Sequence, residues 1–547
     1  MDLRGAGGTG RPISTGRRPF DPLGLSWEFL LTRRGIGRAR AFTPLAWTMR
    51  AVIVGLLAAA AMSAAPSIPE SSLASGQGAG QAAFVWNRDA FWSQLEAQFL
   101  RAKSAGAGTL DAPINEALAG ISRQLDLLAA AEFPANAPVF DTLEAGFFQL
   151  GPMVAASPDH LPDFVQAFSR MRSLVKQQSS HWPMEARETR ERLYRLLYGG
   201  RAATEEAMLQ APRDRVPPLL AGADEPSQTP AAVVHGVTLH SGDILVSRGG
   251  AATSALIARG NDFPGNFSHV ALVQVDAATH AVSVIEAHIE CGVLVSPIAT
   301  YLRDTKLRIM ALRLRADLPA LVADPQLPRK AAEQARREAT RRHIPYDFAM
   351  DCDDPAKQFC SEVASAAYRS VGIHLWMGVS HLSTRGVISW LSALGVRHFE
   401  TQEPSDLEYD PQLCVVAEWR DPETLFKDHV DNAVTDVMLE AAERGEPLRY
   451  NLWQLPFCGL LKAYSVVKNW CGGVGPIPEG MSAAAALRVQ KLRAVHAATR
   501  ERLLEGVERF QAEHGYTPPY WTLVSIARGA TANPAGVAPQ RVRGPSS

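Results

Sequence analysis

Two short segments hold a histidine and a cysteine in positions where they could share a reaction: FSHVALVQV around His269 and FCSEVASAAY around Cys360. The first alternates like a strand and opens on its histidine, while the second has helical spacing and carries its cysteine near the start. A thiol and an imidazole presented on two rigid elements are the parts of a nucleophile and its base. Cys360, Val363, Ala364, Ala367 and Val371 fall at i, i+3, i+4, i+7 and i+11, one face of a helix that Gly372 would end. At the head of that helix the dipole and free N–H groups would lower the thiol pKa and supply oxyanion donors. Asp354-Pro355 is also a good N-cap and N1 pair, and a helix starting there would bury Cys360 in its second turn as a structural thiol. Cys352 is the rival nucleophile, but Asp351, Asp353 and Asp354 surround it and disfavour a thiolate.

A base needs an orienting group. The strand after His269 carries Glu286, and a hairpin through Asp276–His280 would set the two side by side, so the carboxylate could hold the imidazole tautomer. His288 and Glu290 share the face of Glu286 by the two-residue period, so either could take that role, or all three could form a wet polar edge.

The elements that must position these residues follow from pattern. GDILVSRG, HVALVQV, AVSVIEA and LRIMALRL are β-branched, roughly alternating runs separated by turn signals, and read as strands of one sheet, while QLCVVAEW resembles one more strand. Residues 327–342 read as a helix, and 343–358 as a loop leading to Cys360. Residues 67–210 read as a helical domain: Leu118, Ile121, Leu125 and Leu128 keep helical spacing, as do Phe164, Phe168, Met171 and Val175, and Gly199-Gly200 is a C-cap candidate. A Pro-rich linker over 211–231 follows, then the candidate catalytic domain over 232–420, a helical C-terminal region over 421–530 and a disordered tail over 531–547.

Composition narrows the function classes. The chain has 547 residues and a formal net charge of −1, so no global field points to nucleic acid or a polyanion. Residues 1–66 read as a targeting segment: Met49-Arg50 precedes an apolar run from Ala51 to Ala61 with small residues after it, too short for a stable membrane span. The expected location is periplasmic or secreted. Six cysteines suit that compartment, and Cys458 with Cys471, bracketing a short loop-like stretch, is the favoured disulfide. No Cys/His spacing matches a zinc motif, and neither metal nor cofactor is expected.

Taken in order, GDILVSRG, FSHVALV, VIEA and PYDFAMD…FCSEVASAAY resemble the circularly permuted papain-like amidases of the YaeF/YiiX type, relatives of the NlpC-like cell-wall endopeptidases. The histidine precedes the cysteine here, the reverse of the papain order, which permutation explains. The resemblance implies an α+β fold, a permuted papain-like domain with an antiparallel sheet, flanked by N- and C-terminal helical segments. It also implies Cys360 as nucleophile, His269 as base, Glu286 as its orienter and Tyr346 lining the substrate site, with Asp243 structural. Phe359 stands where unpermuted relatives have Asp. The expected activity is an exported cysteine amidase or peptidase working through a thioester, on a peptide or muropeptide-like substrate in association with the cell envelope. Two alternatives remain at this stage: a thioester-forming lipid acyltransferase, from whose Asn-Cys-Glu-His-Phe type motif Phe359-Cys360-Ser361-Glu362 departs, and an inactive envelope-binding protein.

Overall fold

All five apolar runs become strands of one antiparallel sheet in the computed structural model, which describes residues 83–86 and 89–532. The segment read as a targeting signal and residues 533–547 of the tail lie outside the described residues. In chain order the strands are β1 (Leu219–Ala221), β2 (Ala231–Val234), β3 (Val237–His240), β4 (Ile244–Gly249), β5 (His269–Val275), β6 (Val282–His288), β7 (Gly292–Pro297), β8 (Lys306–Leu314), β9 (Ser380–His381), β10 (Glu400–Thr401) and β11 (Leu413–Trp419). Seven of them form the main sheet in the order β1-β11-β8-β4-β5-β6-β7, and β2–β3 and β9–β10 are separate ribbons. Within the stretch read as a linker, Leu219 pairs with Trp419 and Ala221 with Ala417, so that segment closes one edge of the sheet as β1.

Strand alternation divides the core. Val246, Val270, Leu272, Ile285 and Leu312 face one side, where helices α9 (Leu327–Arg341) and α10 (Cys360–Arg369) cover them through Ala331, Val363, Ala364 and Ala367. Leu245, Ala271, Val273, Val284 and Ala311 face the other, beneath Leu239 and Tyr301. Both faces are therefore buried, which explains why these runs are apolar almost throughout.

Among the described residues five helices precede the sheet: α1 (Asp89–Ala105), α2 (Asp111–Ala130), α3 (Pro138–Ala156), α4 (Leu161–Ser179) and α5 (Arg187–Gln210). Their core contains the periodic residues Ile121, Leu125, Leu128, Phe164, Phe168, Met171 and Val175. Gly199-Gly200 does not cap α5, which runs on through it. These glycines serve close packing instead: a Cβ on Gly200 would come 2.6 Å from Met171 Cε. Short helices α6 (Ala252–Arg259), α7 (Ile298–Arg303), α8 (Pro319–Ala323) and α11 (Arg385–Leu394) join the strands. After the sheet come α12 (Pro422–Glu443), α13 (Leu455–Trp470), α14 (Ala483–His514) and α15 (Tyr520–Ala532). Asp421 starts α12 by accepting the Glu423 and Thr424 N–H groups at 2.9 and 3.0 Å.

The expected Cys458–Cys471 disulfide does not form; all six cysteines are free. The stretch between them is helix rather than loop, and 13 residues of helical rise separate the pair by about 20 Å, far beyond disulfide reach. Cys458 is buried and donates to the Ala483 carbonyl at 3.3 Å, while Cys471 is exposed.

Helical flanks and sheet are tied by buried charges. Glu205 of α5 accepts from Arg308 of β8 at 2.7 and 3.2 Å, from Arg420 just after β11, and from His429 Nε2 of α12 at 3.0 Å. Arg308 Nε donates in turn to Asp428 of α12 at 2.8 Å, and Arg172 of α4 pairs with Glu418 of β11 at 3.1 Å. Charges buried this deeply persist only with partners of opposite sign. The sheet and both flanks therefore share one electrostatic core.

Candidate active site

Cys360 is the first residue of α10. The alternative start at Asp354-Pro355 is not used. Gln358 is held extended, its N–H donating to the Pro345 carbonyl at 3.1 Å while its own carbonyl accepts the Asp347 N–H at 3.2 Å. Phe359 keeps that extended backbone, and its N–H donates to the Glu362 carboxylate at 2.9 Å, which anchors the first turn. Beyond the far end Gly372 turns left-handed at φ +82°, and Ile373 N–H closes on the Tyr368 carbonyl at 3.0 Å.

His269 opens β5 and Glu286 lies on β6. Ala271 pairs with Glu286 across the strands, so Glu286 is the diagonal neighbour of His269, and His288 stands directly across if the register is continued. His269 Nε2 meets Glu286 Oε2 at 2.8 Å, and His288 Nε2 meets Glu286 Oε1 at 3.2 Å. The choice left open among Glu286, His288 and Glu290 is thus resolved by contact: Glu286 bonds to the His269 ring, and His288 bonds to Glu286. A carboxylate only accepts, so the His269 proton sits on Nε2 and Nδ1 keeps a free lone pair.

The electrostatics follow from this geometry. Burial alone would raise the Glu286 pKa, but the bonds from His269 and His288 win and hold it well below the usual carboxylate range. Burial lowers the His269 pKa despite its bond to Glu286, with Lys306 adding to the fall. His288 moves the other way: its bond to Glu286 outweighs burial and raises its pKa. One carboxylate therefore holds a neutral imidazole on one oxygen and favours an imidazolium on the other. His269, Glu286 and His288 also each offer one ligand atom within 4.8 Å of the others, a spacing that could hold a metal ion.

Helix α10 packs on β5, and the backbone of Val270, the residue after His269, acts to lower the pKa of the Cys360 thiol. No direct hydrogen bond joins the thiol to the His269 ring among the described residues. The expectation of a lowered thiol pKa is not met. Burial, joined by Glu403, pushes Cys360 up to about 12, against the downward pull of Val270 and Ser361. Burial, joined by Glu362, also pushes Cys352 up, to about 11. Charge environment therefore does not separate the two cysteines. Position does, because Cys360 adjoins the histidine strand.

Glu403 escaped the sequence reading. It is buried, its Oε2 has no hydrogen-bond partner among the described residues, and it acts electrostatically on both Cys360 and Tyr346. Burial and Asp406 raise it to about 8, so near neutrality it is an uncharged donor beside the thiol. Tyr346 is half-buried, coupled to Cys360 and Glu403, and rests edge-on against Phe348 at 5.0 Å. Asp243 is structural: both its oxygens accept from Arg313 at 2.8 Å, and it also takes the His240 N–H at 2.8 Å.

A cysteine at a helix head, packed on a strand that carries a carboxylate-held histidine, defines the papain-like class of cysteine hydrolase. Residues 238–417, about a third of the chain, match the family model described as permuted papain-like amidase enzyme, YaeF/YiiX, C92 family, and the mixed helix and antiparallel sheet of that region is consistent with a permuted papain-like domain. No curated protein and no solved structure matches the chain. Cysteine amidase or peptidase chemistry on a peptide-like substrate is what the family supports.

One prediction arises from the histidine–carboxylate bond. Glu286→Gln, which can present an amide N–H to His269, favours the wrong tautomer, and kcat/KM should fall by about 10³-fold. The pH profile supplies the second readout. With neutral His269 as the proposed base, activity should be lost as pH falls through its folded pKa, which burial sets below the ordinary value of about 6.5. Glu286 supports the imidazolium, so its loss should move that acidic limb to still lower pH. A full rate–pH profile of both proteins checks the two effects together.

Proposed function

We propose that the protein is an exported cysteine amidase or peptidase that hydrolyses amide bonds in cell-wall peptides. The observation that carries this reading is Cys360 at the head of α10, beside the strand on which Glu286 holds His269 with its free nitrogen unprotonated. In the first step the Cys360 sulfur bonds to the amide carbon as its proton passes to His269 Nδ1. Free N–H groups at the start of α10 face the developing oxyanion. His269 then gives that proton to the leaving nitrogen, the C–N bond breaks, and a thioester and a free amine result. Water, deprotonated by His269, attacks the thioester and releases a carboxylate and the thiol.

Export is supported by the apolar run from Ala51 to Ala61 after Arg50, and the cell-wall substrate by the relation of the family to NlpC-like endopeptidases. Incubating the purified protein with muropeptides should yield fragments bearing new free amines, detected by mass spectrometry. If no fragment appears, or the same fragments appear with Cys360→Ala, the reading is wrong.

A further inference from the structure

Large apolar side chains are seldom left in water, and in this protein they are concentrated in one place. Thirteen are exposed among the described residues, and seven of these lie between Leu452 and Trp470: Leu452, Trp453, Phe457, Leu460, Tyr464, Val466 and Trp470. They belong to α13 and the turn before it. Trp453, Phe457, Leu460 and Tyr464 fall at i, i+4, i+7 and i+11, one stripe along the helix. The helix is anchored to the protein by its adjoining face, through buried Cys458 and Ser465 and half-buried Leu461, so the stripe is surplus to folding. Phe457 and Leu460 are 66% and 67% exposed, and Trp470 is 81% exposed.

Composition indicates what covers the stripe. The chain carries 56 acidic residues in 547, yet none occurs between Glu446 and Glu479. Arg449, Lys462 and Lys468 lie within that interval. Lys462 is turned inward onto the Pro478 and Glu479 carbonyls, which leaves Arg449 and Lys468 at the margins. Tryptophans stand near both ends of the stretch and a tyrosine between them, side chains that pair an apolar body with a polar edge. Sixteen residues make a helix about 24 Å long, and none of the described helices is long and apolar enough to cross a membrane. A second copy of this chain fits less well. It would set like charges against each other, and one helix stripe is narrow for a stable dimer interface.

We infer that α13 is an in-plane membrane anchor, whose Trp453–Tyr464 stripe enters the headgroup boundary of an anionic lipid surface. The anchor is close to the chemistry. The loop after α13 packs on the segment that carries Tyr346, since a Cβ on Gly480 would meet the Phe348 ring at 2.6 Å, and Glu479 bonds to His343 at 2.9 Å. Seating α13 on lipid therefore places the loop beside Cys360 near the membrane surface. The inference stands on exposure and charge alone and holds whether or not the protein is a hydrolase.

The test is flotation of the full chain with phosphatidylcholine vesicles and with vesicles of phosphatidylcholine and phosphatidylglycerol. The protein should float with the anionic vesicles, less so at high salt, with a blue shift of tryptophan emission. The double variant Phe457→Glu with Leu460→Glu should lose binding by at least about tenfold while keeping its melting temperature. The milder Trp453→Gln, on the same exposed stripe, covers the case in which the double variant unfolds. No flotation of the parent chain, flotation unchanged in the variants, or dimers in light scattering that the variants dissolve would each overturn the proposal.

Discussion

Cys360→Ala should lose about 10⁴-fold or more of the amidase rate with an unchanged melting temperature, while Cys352→Ala keeps its activity. The argument rests on protonation as much as on position. A thiol pushed up to about 12 by burial stays protonated near neutrality, so no standing thiolate attacks the substrate. The proton must leave as the carbon–sulfur bond forms, and His269, on the strand against which α10 packs, is the proposed acceptor. Residues that act as one unit lose their function together. His269→Ala should therefore cost about as much as Cys360→Ala, and the double variant little more. Iodoacetamide supplies an independent readout, since Cys360 should react slowly near neutrality and faster as pH rises. Rapid alkylation at pH 7 would contradict a buried, protonated thiol.

The second large effect is on stability. Glu205→Ala should destabilise the fold by about 3–5 kcal/mol, because it removes a carboxylate that Arg308 and Arg420 share in the interior and leaves two buried arginines with only Asp428 and Glu418 against them. Urea denaturation followed by circular dichroism measures it. The pH dependence has a definite sign. Burial would raise the Glu205 pKa, but Arg308 and Arg420 outweigh it and hold the carboxyl well below its usual range. A carboxyl depressed in the folded state stabilises the fold above its unfolded pKa of about 4.3 and loses that contribution as pH falls further. The parent should therefore weaken from about pH 4.3 downward, and the variant should show a flatter acid limb. Because Glu205 sits on α5 while its partners sit on β8, next to β11 and on α12, its loss should loosen both flanks at once.

Much of this was legible in the sequence, for local reasons. Val, Ile and Leu alternating around His269 and Glu286 mark strands whatever packs on them, and Asp421-Pro422 marks a helix start because its capping bonds are internal to the segment. Several of the readings that failed needed a neighbour distant in sequence. Gly199-Gly200 looked like a helix end because Met171 and Phe168, against which Gly200 packs, lie some thirty residues earlier. Asp354-Pro355 looked like a helix start because the backbone bonds from Pro345 and Asp347 that hold Gln358 extended are made by a loop. Glu403 carried no signal at all, since an acid before a proline is ordinary until the chain folds it against a thiol.

The sequence by itself determined the types and order of the candidate groups: a histidine at a strand's head, a carboxylate on the next strand at the right period, and a cysteine at the head of a later helix. These follow from periodicity, capping and side-chain chemistry, which act over a few residues. Only the tertiary structure decided which carboxylate oxygen meets which histidine, and that burial overrides the helix head in setting the thiol's pKa. It also decided that seven apolar side chains around α13 remain uncovered. Protonation and exposure depend on everything that surrounds a group in three dimensions, and most of those surroundings are distant in sequence.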